Sequence, residues 1–169
     1  MVPLASVYDP QYDVREFMET FGQEVPVKPT LPDEKTRVLR ARLIYEEAME
    51  TVRALGCDLV ARGHDGEDVS ASFSIEAGDH PVDMVGIADG CADILVVTHG
   101  CALACGIDIY PVFNEVHRSN MSKLWTNEET GEKEVRKRED GKVLKSPDYS
   151  PADVKGELFK QHWEEWTSV

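Results

Sequence analysis

The chain is short of basic residues and of cysteine and has no long hydrophobic run, and each shortage excludes something. Lys and Arg number 18 against 32 Asp and Glu, a formal net charge of −14. Phosphate backbones want a positive surface, so binding to nucleic acid through the general field is excluded. A small anionic substrate is still admissible if metal ions bridge it to the protein. Solubility accounts for most of the acidic excess. The four cysteines are Cys57, Cys91, Cys101 and Cys105. Cys101 and Cys105 lie one helical turn apart and read as small buried side chains. No second ligand pair stands near them, which argues against a zinc centre. The N-terminus carries no basic run followed by an apolar stretch, so no signal peptide is expected. The longest mostly apolar segment, residues 94–109, contains His99, glycines and Asp108 and falls short of a bilayer span. A soluble, cytoplasmic protein without a membrane partner is expected. No internal repeat or low-complexity tract interrupts the 169 residues, which amount to a single domain over 1–169 with enough apolar content, 41%, for a core.

The periodicity predicts an all-α helical bundle. Val14, Phe17, Met18 and Phe21 make one apolar stripe over residues 12–21, closed by Gly22. Pro26, Pro29 and Pro32 mark a stiff connection. Asp33 is a good N-cap for a long second helix ending at Gly56. Residues 62–82 are polar and rich in Gly, Asp and Ser, and read as an insertion loop with a short strand at 72–75. A third helix is predicted over 82–106, apolar around most of its circumference after Asp93 and therefore central. A fourth begins at Asp108, with Pro111 in its first turn. Residues 124–148 are polar, and Glu139-Asp140-Gly141-Lys142 suits a turn between two short strands. A C-terminal helix is predicted within 150–169, carrying Leu158, Phe159, Trp163 and Trp166 to the core or to a second subunit.

Two acidic clusters carry the chemistry. Glu46, Glu47 and Glu50 share one edge of the second helix: at 100° per residue Glu46 lies about 40° and Glu47 about 60° from Glu50. Asp89 and Asp93 lie one turn apart near the start of the apolar third helix. Acids turned toward one another repel unless a cation holds them, and oxygen-only donors suit hard ions such as Mg²⁺ or Mn²⁺. An Arg or Lys partner for Asp89 and Asp93 would answer the same need.

Glu46-Glu47-x-x-Glu50 followed by an acid pair on a later apolar helix resembles the MazG-like, all-α nucleoside triphosphate pyrophosphohydrolases. That group includes dimeric dUTPase-like enzymes and phosphoribosyl-ATP pyrophosphohydrolases. Residues 112–124 (VFNEVHRSNMSKL) and Asp140-Gly141-Lys142-Val143-Leu144-Lys145, with Pro147 and Tyr149 after it, look like the matching segments of phage and bacterial members. The resemblance covers about residues 12–155. It departs at one place: the usual ExxD second motif would put an acid at Gly90, and this chain has Asp89 instead. The resemblance implies hydrolysis of a (deoxy)nucleoside triphosphate, dGTP or dUTP among them, to the monophosphate and pyrophosphate. It implies two or three Mg²⁺ or Mn²⁺ ions on Glu47, Glu50, Asp89 and Asp93, with Glu47 also catalytic and Glu46 either a further ligand or the base that orients water. Arg118, Asn120, Lys123, Lys145 and Tyr149 would meet sugar or phosphate, and Phe21 and Gln23, with Phe17, the base. Alternatively Phe17 and Phe21 are core. A homodimer or homotetramer is implied, in the host cytoplasm if the chain is phage-encoded. Two other classes stand beside this one. A non-enzymatic helical scaffold has no need of Asp89 and Asp93 on an apolar helix. A phosphoribosyl-ATP hydrolase is fitted poorly by the tail from Trp125 onward.

Overall fold

A computed structural model describes residues 9–61 and 73–164. Trp166 and the 62–72 part of the predicted insertion lie outside the described residues. The described part is mainly helical, with two short antiparallel strand pairs. It groups into two compact units. One holds Leu31–Cys105 with the chain up to Val25; the other holds Pro26–Thr30 and the chain from Gly106 onward.

In the first unit, α1 (Pro10–Thr20) is capped by Asp9, whose side chain accepts from the Gln11 N–H at 3.0 Å. The 21-residue α2 (Glu34–Ala54) starts where Asp33 accepts from the Thr36 N–H at 2.7 Å. Gly56, at φ +73°, turns the chain into β1 (Cys57–Ala61). β1 pairs with β2 (Phe73–Ala77) in register Cys57↔Ala77 to Ala61↔Phe73. A hairpin therefore occupies part of what the composition suggested was loop. Asp83 caps α3 (Met84–Ala104). Met18 and Leu103 are the most deeply buried large side chains, packed with Val14 and Ala104 and flanked by Val25. The stripe on α1 splits: Val14 and Met18 enter this core, whereas Phe17 and Phe21 are exposed and stack on each other with ring centroids 4.6 Å apart. The core alternative for those two rings is thereby overturned. Cys101 and Cys105 are half-buried, and burial pushes the Cys105 thiol up.

α3 is the hub, with α1 and α2 both packed on it. Its approach to α2 is set by glycine. A Cβ at Gly86 would stand 3.2 Å from the Ala54 Cβ, and one at Gly90 would overlap the Thr51 hydroxyl. At the far end Gly100 faces Arg40, whose Nη2 donates to Gln23 Oε1 at 2.7 Å. The two helices thus run antiparallel, with the end of α2 beside the start of α3. α3 falls within the helix predicted over 82–106, and its 21 residues are long and apolar enough, by length and composition, to cross a membrane. A bundle's core helix has the same character.

In the second unit, Asp108 caps α4 (Ile109–Met121), accepting from the Tyr110 N–H at 3.1 Å. β3 (Trp125–Thr126) pairs with β4 (Lys133–Glu134), and an isolated bridge joins Lys137 to Val143 around the predicted 139–142 turn. α5 (Val154–Lys160) is far shorter than the helix predicted to reach Trp166. Its chain turns at Gln161, and Phe159 stacks on Trp163 at 5.4 Å.

Candidate active site

The Gly86/Gly90 seam decides where the acids go. It brings the last turns of α2 against the first turns of α3, and so Glu47 and Glu50 opposite Asp93 and Asp89. Glu47 is half-buried. Burial pushes its carboxyl above the usual range, and Asp93, Glu50, Glu46 and Asp89 push the same way. Acids from both helices therefore converge on Glu47. Glu50, Asp89 and Asp93 line a cleft of about 440 Å³ with Arg53, His80 and Asp83, while Glu46 and Glu47 lie outside its lining.

The donor chemistry fits a hard divalent cation, since every acid offers carboxylate oxygens only. Among the described residues no three acids, histidines or cysteines stand close enough to form a closed ligand cage. The carboxylates are gathered and mutually repelled, not locked together.

The place where Asp89 stands in for the usual acid has a packing reason. Gly90 is buried against Thr51, and Thr51 Oγ1 donates to the Glu47 carbonyl at 2.8 Å. No side chain fits at 90, so the acid on this turn sits one residue earlier, where Asp89 is exposed to the cleft.

The other predicted residues fall into two groups. Phe21 and Gln23 belong to the first unit, with Gln23 tied to Arg40. Arg118, Asn120, Lys123, Lys145 and Tyr149 gather in the second unit. Tyr149 bonds Ser119, which holds its phenol below the usual range, and the charges of Lys145 and Lys123 add to that. Lys145 Nζ stands 4.3 Å over the Tyr149 ring. Lys123 donates to Asn120 Oδ1 at 2.7 Å. Arg118 is more committed: its Nε and Nη2 grip Glu115 at 2.7 and 2.8 Å, and Nη2 also donates to the Pro151 carbonyl at 3.0 Å. Sequence reasoning missed Glu115, although its i, i+3 spacing to Arg118 was visible. It also missed Arg53, His80 and Asp58. His80 and Asp58 are 22 residues apart and meet only because the hairpin folds.

No curated protein matches the chain. Residues 14–120 match the phosphoribosyl-ATP pyrophosphohydrolase family, a span running from within α1 to the last turn of α4 and holding both acidic clusters. The polar tail from Trp125, which fitted that family poorly, lies beyond the matched span. This family is related to the MazG superfamily, so the broader resemblance agrees with it. The matched span is well over half of the 169 residues, and the chain belongs to the phosphoribosyl-ATP pyrophosphohydrolase family, whose members are hydrolases of nucleotide phosphoanhydrides.

Proposed function

We propose that the protein hydrolyses a (deoxy)nucleoside triphosphate to the monophosphate and pyrophosphate with Mg²⁺ or Mn²⁺, in nucleotide-pool control or supply, with dGTP and dUTP as leading substrates. The observation that carries this reading is the gathering of acids from two helices at one cleft: Glu50, Asp89 and Asp93 line it, and burial, then Asp93, Glu50, Glu46 and Asp89, push the Glu47 carboxyl up. Such repulsion is relieved by cations, and two or three would suit five carboxylates. Glu47, Glu50, Asp89 and Asp93 would hold them. When bound, divalent ions neutralise the triphosphate and lower the pKa of a coordinated water. Glu46, exposed and outside the cleft lining, would orient a water or serve as a further ligand.

The exposed Phe17–Phe21 pair offers a stacking platform to a base, and the Gln23 amide is a hydrogen-bonding group beside it. Lys123, Asn120, Lys145 and Tyr149 form a cationic, hydroxyl-bearing patch suited to phosphate or sugar oxygens. Arg118 is the weakest of this group for substrate, because Glu115 and Pro151 already occupy part of its fork.

Phosphoribosyl-ATP itself is a second reading, favoured by the family match. One assay separates the two. All NTPs, dNTPs and phosphoribosyl-ATP are supplied with Mg²⁺ or Mn²⁺, and monophosphate, pyrophosphate and orthophosphate are measured. The proposal expects a deoxynucleoside triphosphate to be the best substrate, with pyrophosphate released. Release of orthophosphate sinks it, and a preference for phosphoribosyl-ATP selects the second reading. Mn²⁺ is also expected to raise the thermal midpoint of the wild type and not that of the Glu50→Gln, Asp93→Asn double variant.

A further inference from the structure

The cleft that Glu50, Asp89 and Asp93 line also holds groups that the acidic motifs do not explain. These are Arg53, from the last turn of α2, and His80, from the segment joining β2 to α3. His80 is held there. Gly78 N–H donates to the Gly56 carbonyl at 2.8 Å and Asp83 N–H to the Ala54 carbonyl at 2.9 Å, which fastens residues 78–83 to the end of α2. His80 Nε2 lies 3.3 Å from Asp58 Oδ1 on β1. Gly78 is the floor of this pair: a Cβ there would stand 2.7 Å from His80 Nε2 and 2.8 Å from Asp58 Oδ2. The hairpin thus delivers an oriented imidazole to the acid-lined cleft. Arg53 is exposed, and among the described residues no ion pair engages its guanidinium.

We propose that Arg53 and His80 are the phosphate-binding groups of this cleft, gripping the pyrophosphate portion of the substrate, and that Asp58 is the residue that positions His80. The proposal rests on reading the cleft as the site of phosphoanhydride hydrolysis. A polyphosphate brought to a cleft lined by carboxylates has oxygens that the cleft's basic groups must satisfy. A guanidinium matches two such oxygens at once. With Nε2 bonded to Asp58, Nδ1 is the ring nitrogen left for a ligand. With both ring nitrogens protonated, His80 donates Nε2–H to Asp58 and Nδ1–H to phosphate. Asp58 of β1 stands against the His80 ring, and the charged groups that share the cleft with it are Arg53 and Glu50 from α2, Asp83 at the cap of α3, and Asp89 and Asp93 from α3.

The test is calorimetric titration of inorganic pyrophosphate, with Mg²⁺ present, into the full-length protein and its variants. Arg53→Ala and His80→Gln are each expected to bind about tenfold more weakly or worse, the usual cost of one charged hydrogen bond. Gln can reproduce the bond to Asp58 but has nothing at Nδ1, whereas Asn can reproduce Nδ1. His80→Asn should therefore recover binding to within about threefold of wild type. Asp58→Asn should weaken binding less than His80→Gln. Wild-type affinity in His80→Gln would show that the ring is merely structural and would overturn its assignment; wild-type affinity in Arg53→Ala would overturn that of the arginine. A wild type that binds no pyrophosphate overturns both. Arg53 is exposed, so its variant folds even if a His80 variant does not. The outcome is separable from the substrate panel. Triphosphate hydrolysis with normal pyrophosphate binding in both variants leaves the proposed function standing without this inference. Arg53- and His80-dependent binding without hydrolysis of any nucleotide does the reverse.

Discussion

At residue 90 the chain has no side chain because α2 leaves no room for one. Alanine there gains about 1 kcal/mol of helix propensity, which works against the expected loss. The added methyl meets Thr51, a β-branched residue that cannot swing aside. Its hydroxyl is held by the Glu47 carbonyl, and its Cβ stands 3.2 Å from the position the new methyl would take. Overpacking of this kind costs about 1–3 kcal/mol, so Gly90→Ala is expected to be destabilising on balance. In a Thr51→Ala background the hydroxyl is gone and most of that penalty should vanish. Urea unfolding of the four proteins in this double-mutant cycle measures the coupling. A Gly90→Ala cost that is unchanged without the Thr51 hydroxyl means the seam is not what excludes a side chain at 90. The consequence for function is local: pushing α2 from α3 parts Glu47 and Glu50 from Asp89 and Asp93, so Mn²⁺ should also stabilise Gly90→Ala less.

Among the elements, α5 shows how a helix too short to stand alone is kept. Seven residues are well below what an isolated helix needs in water. Asp153 caps it through the Gly156 N–H at 2.9 Å, and the Asp153 N–H donates to Glu115 on α4 at 2.8 Å. Gln161 closes the other end, accepting from the Asp108 N–H and donating to the Asp108 carbonyl, each at 2.9 Å. Glu115 is the joint of this latch. The Arg118 guanidinium and the Asp153 N–H hold its carboxyl down to about 2. Because the folded value lies below the unfolded one, near 4.5, the stabilisation is fully present above the unfolded value and is lost as pH falls through the folded one. Glu115→Gln should lower the thermal midpoint at pH 7, and the gap to wild type should close between about pH 4.5 and 2. Tryptophan fluorescence can follow it, with Trp163 packed on Phe159 in the turn after α5. A gap of equal size at pH 7 and pH 2.5 would mean that Glu115 acts by shape and not by charge. The helix starts here were readable because their signals are local: Asp33 and Asp108 cap where a short polar acceptor precedes an apolar stripe. What was hidden depends on distant pairing. β1 forms only because residues 73–77 return to it, and His80 reaches Asp58 only through that pairing. The exposure of Phe17 and Phe21 was hidden for a different reason: one apolar stripe on α1 is wider than the face that α3 covers. The acidic clusters were legible because helical spacing alone puts them on one edge. The residue that excludes an acid at position 90 lies on another helix, and no local pattern reports it.

For the whole molecule, the apolar surface of the first unit and the net charge pull in opposite directions. A charge of −14 favours separation of copies. Yet α3, with a mean hydropathy of 1.4 over its most apolar window, has only 28% of that window buried within the chain. Leu95 and Val96 on α3 and Tyr45 and Leu39 on α2 are among the large apolar side chains left exposed. Each such side chain gains about 1.5–3 kcal/mol when fully covered. A few of them outweigh the repulsion of surface charges, most of which is screened within about 8 Å at physiological salt. Association of copies through the helices of the first unit is therefore expected, as a homodimer or a dimer of dimers. Light scattering coupled to size exclusion at micromolar concentration should return two or four times the 18.9 kDa chain mass. Leu95→Asp should shift the population toward monomer and make the thermal midpoint depend more strongly on protein concentration. Raising the salt should strengthen wild-type association, since it screens repulsion and leaves apolar burial intact. A strict monomer at every salt concentration would refute the association, and the exposed face of α3 would then be a property of the isolated chain.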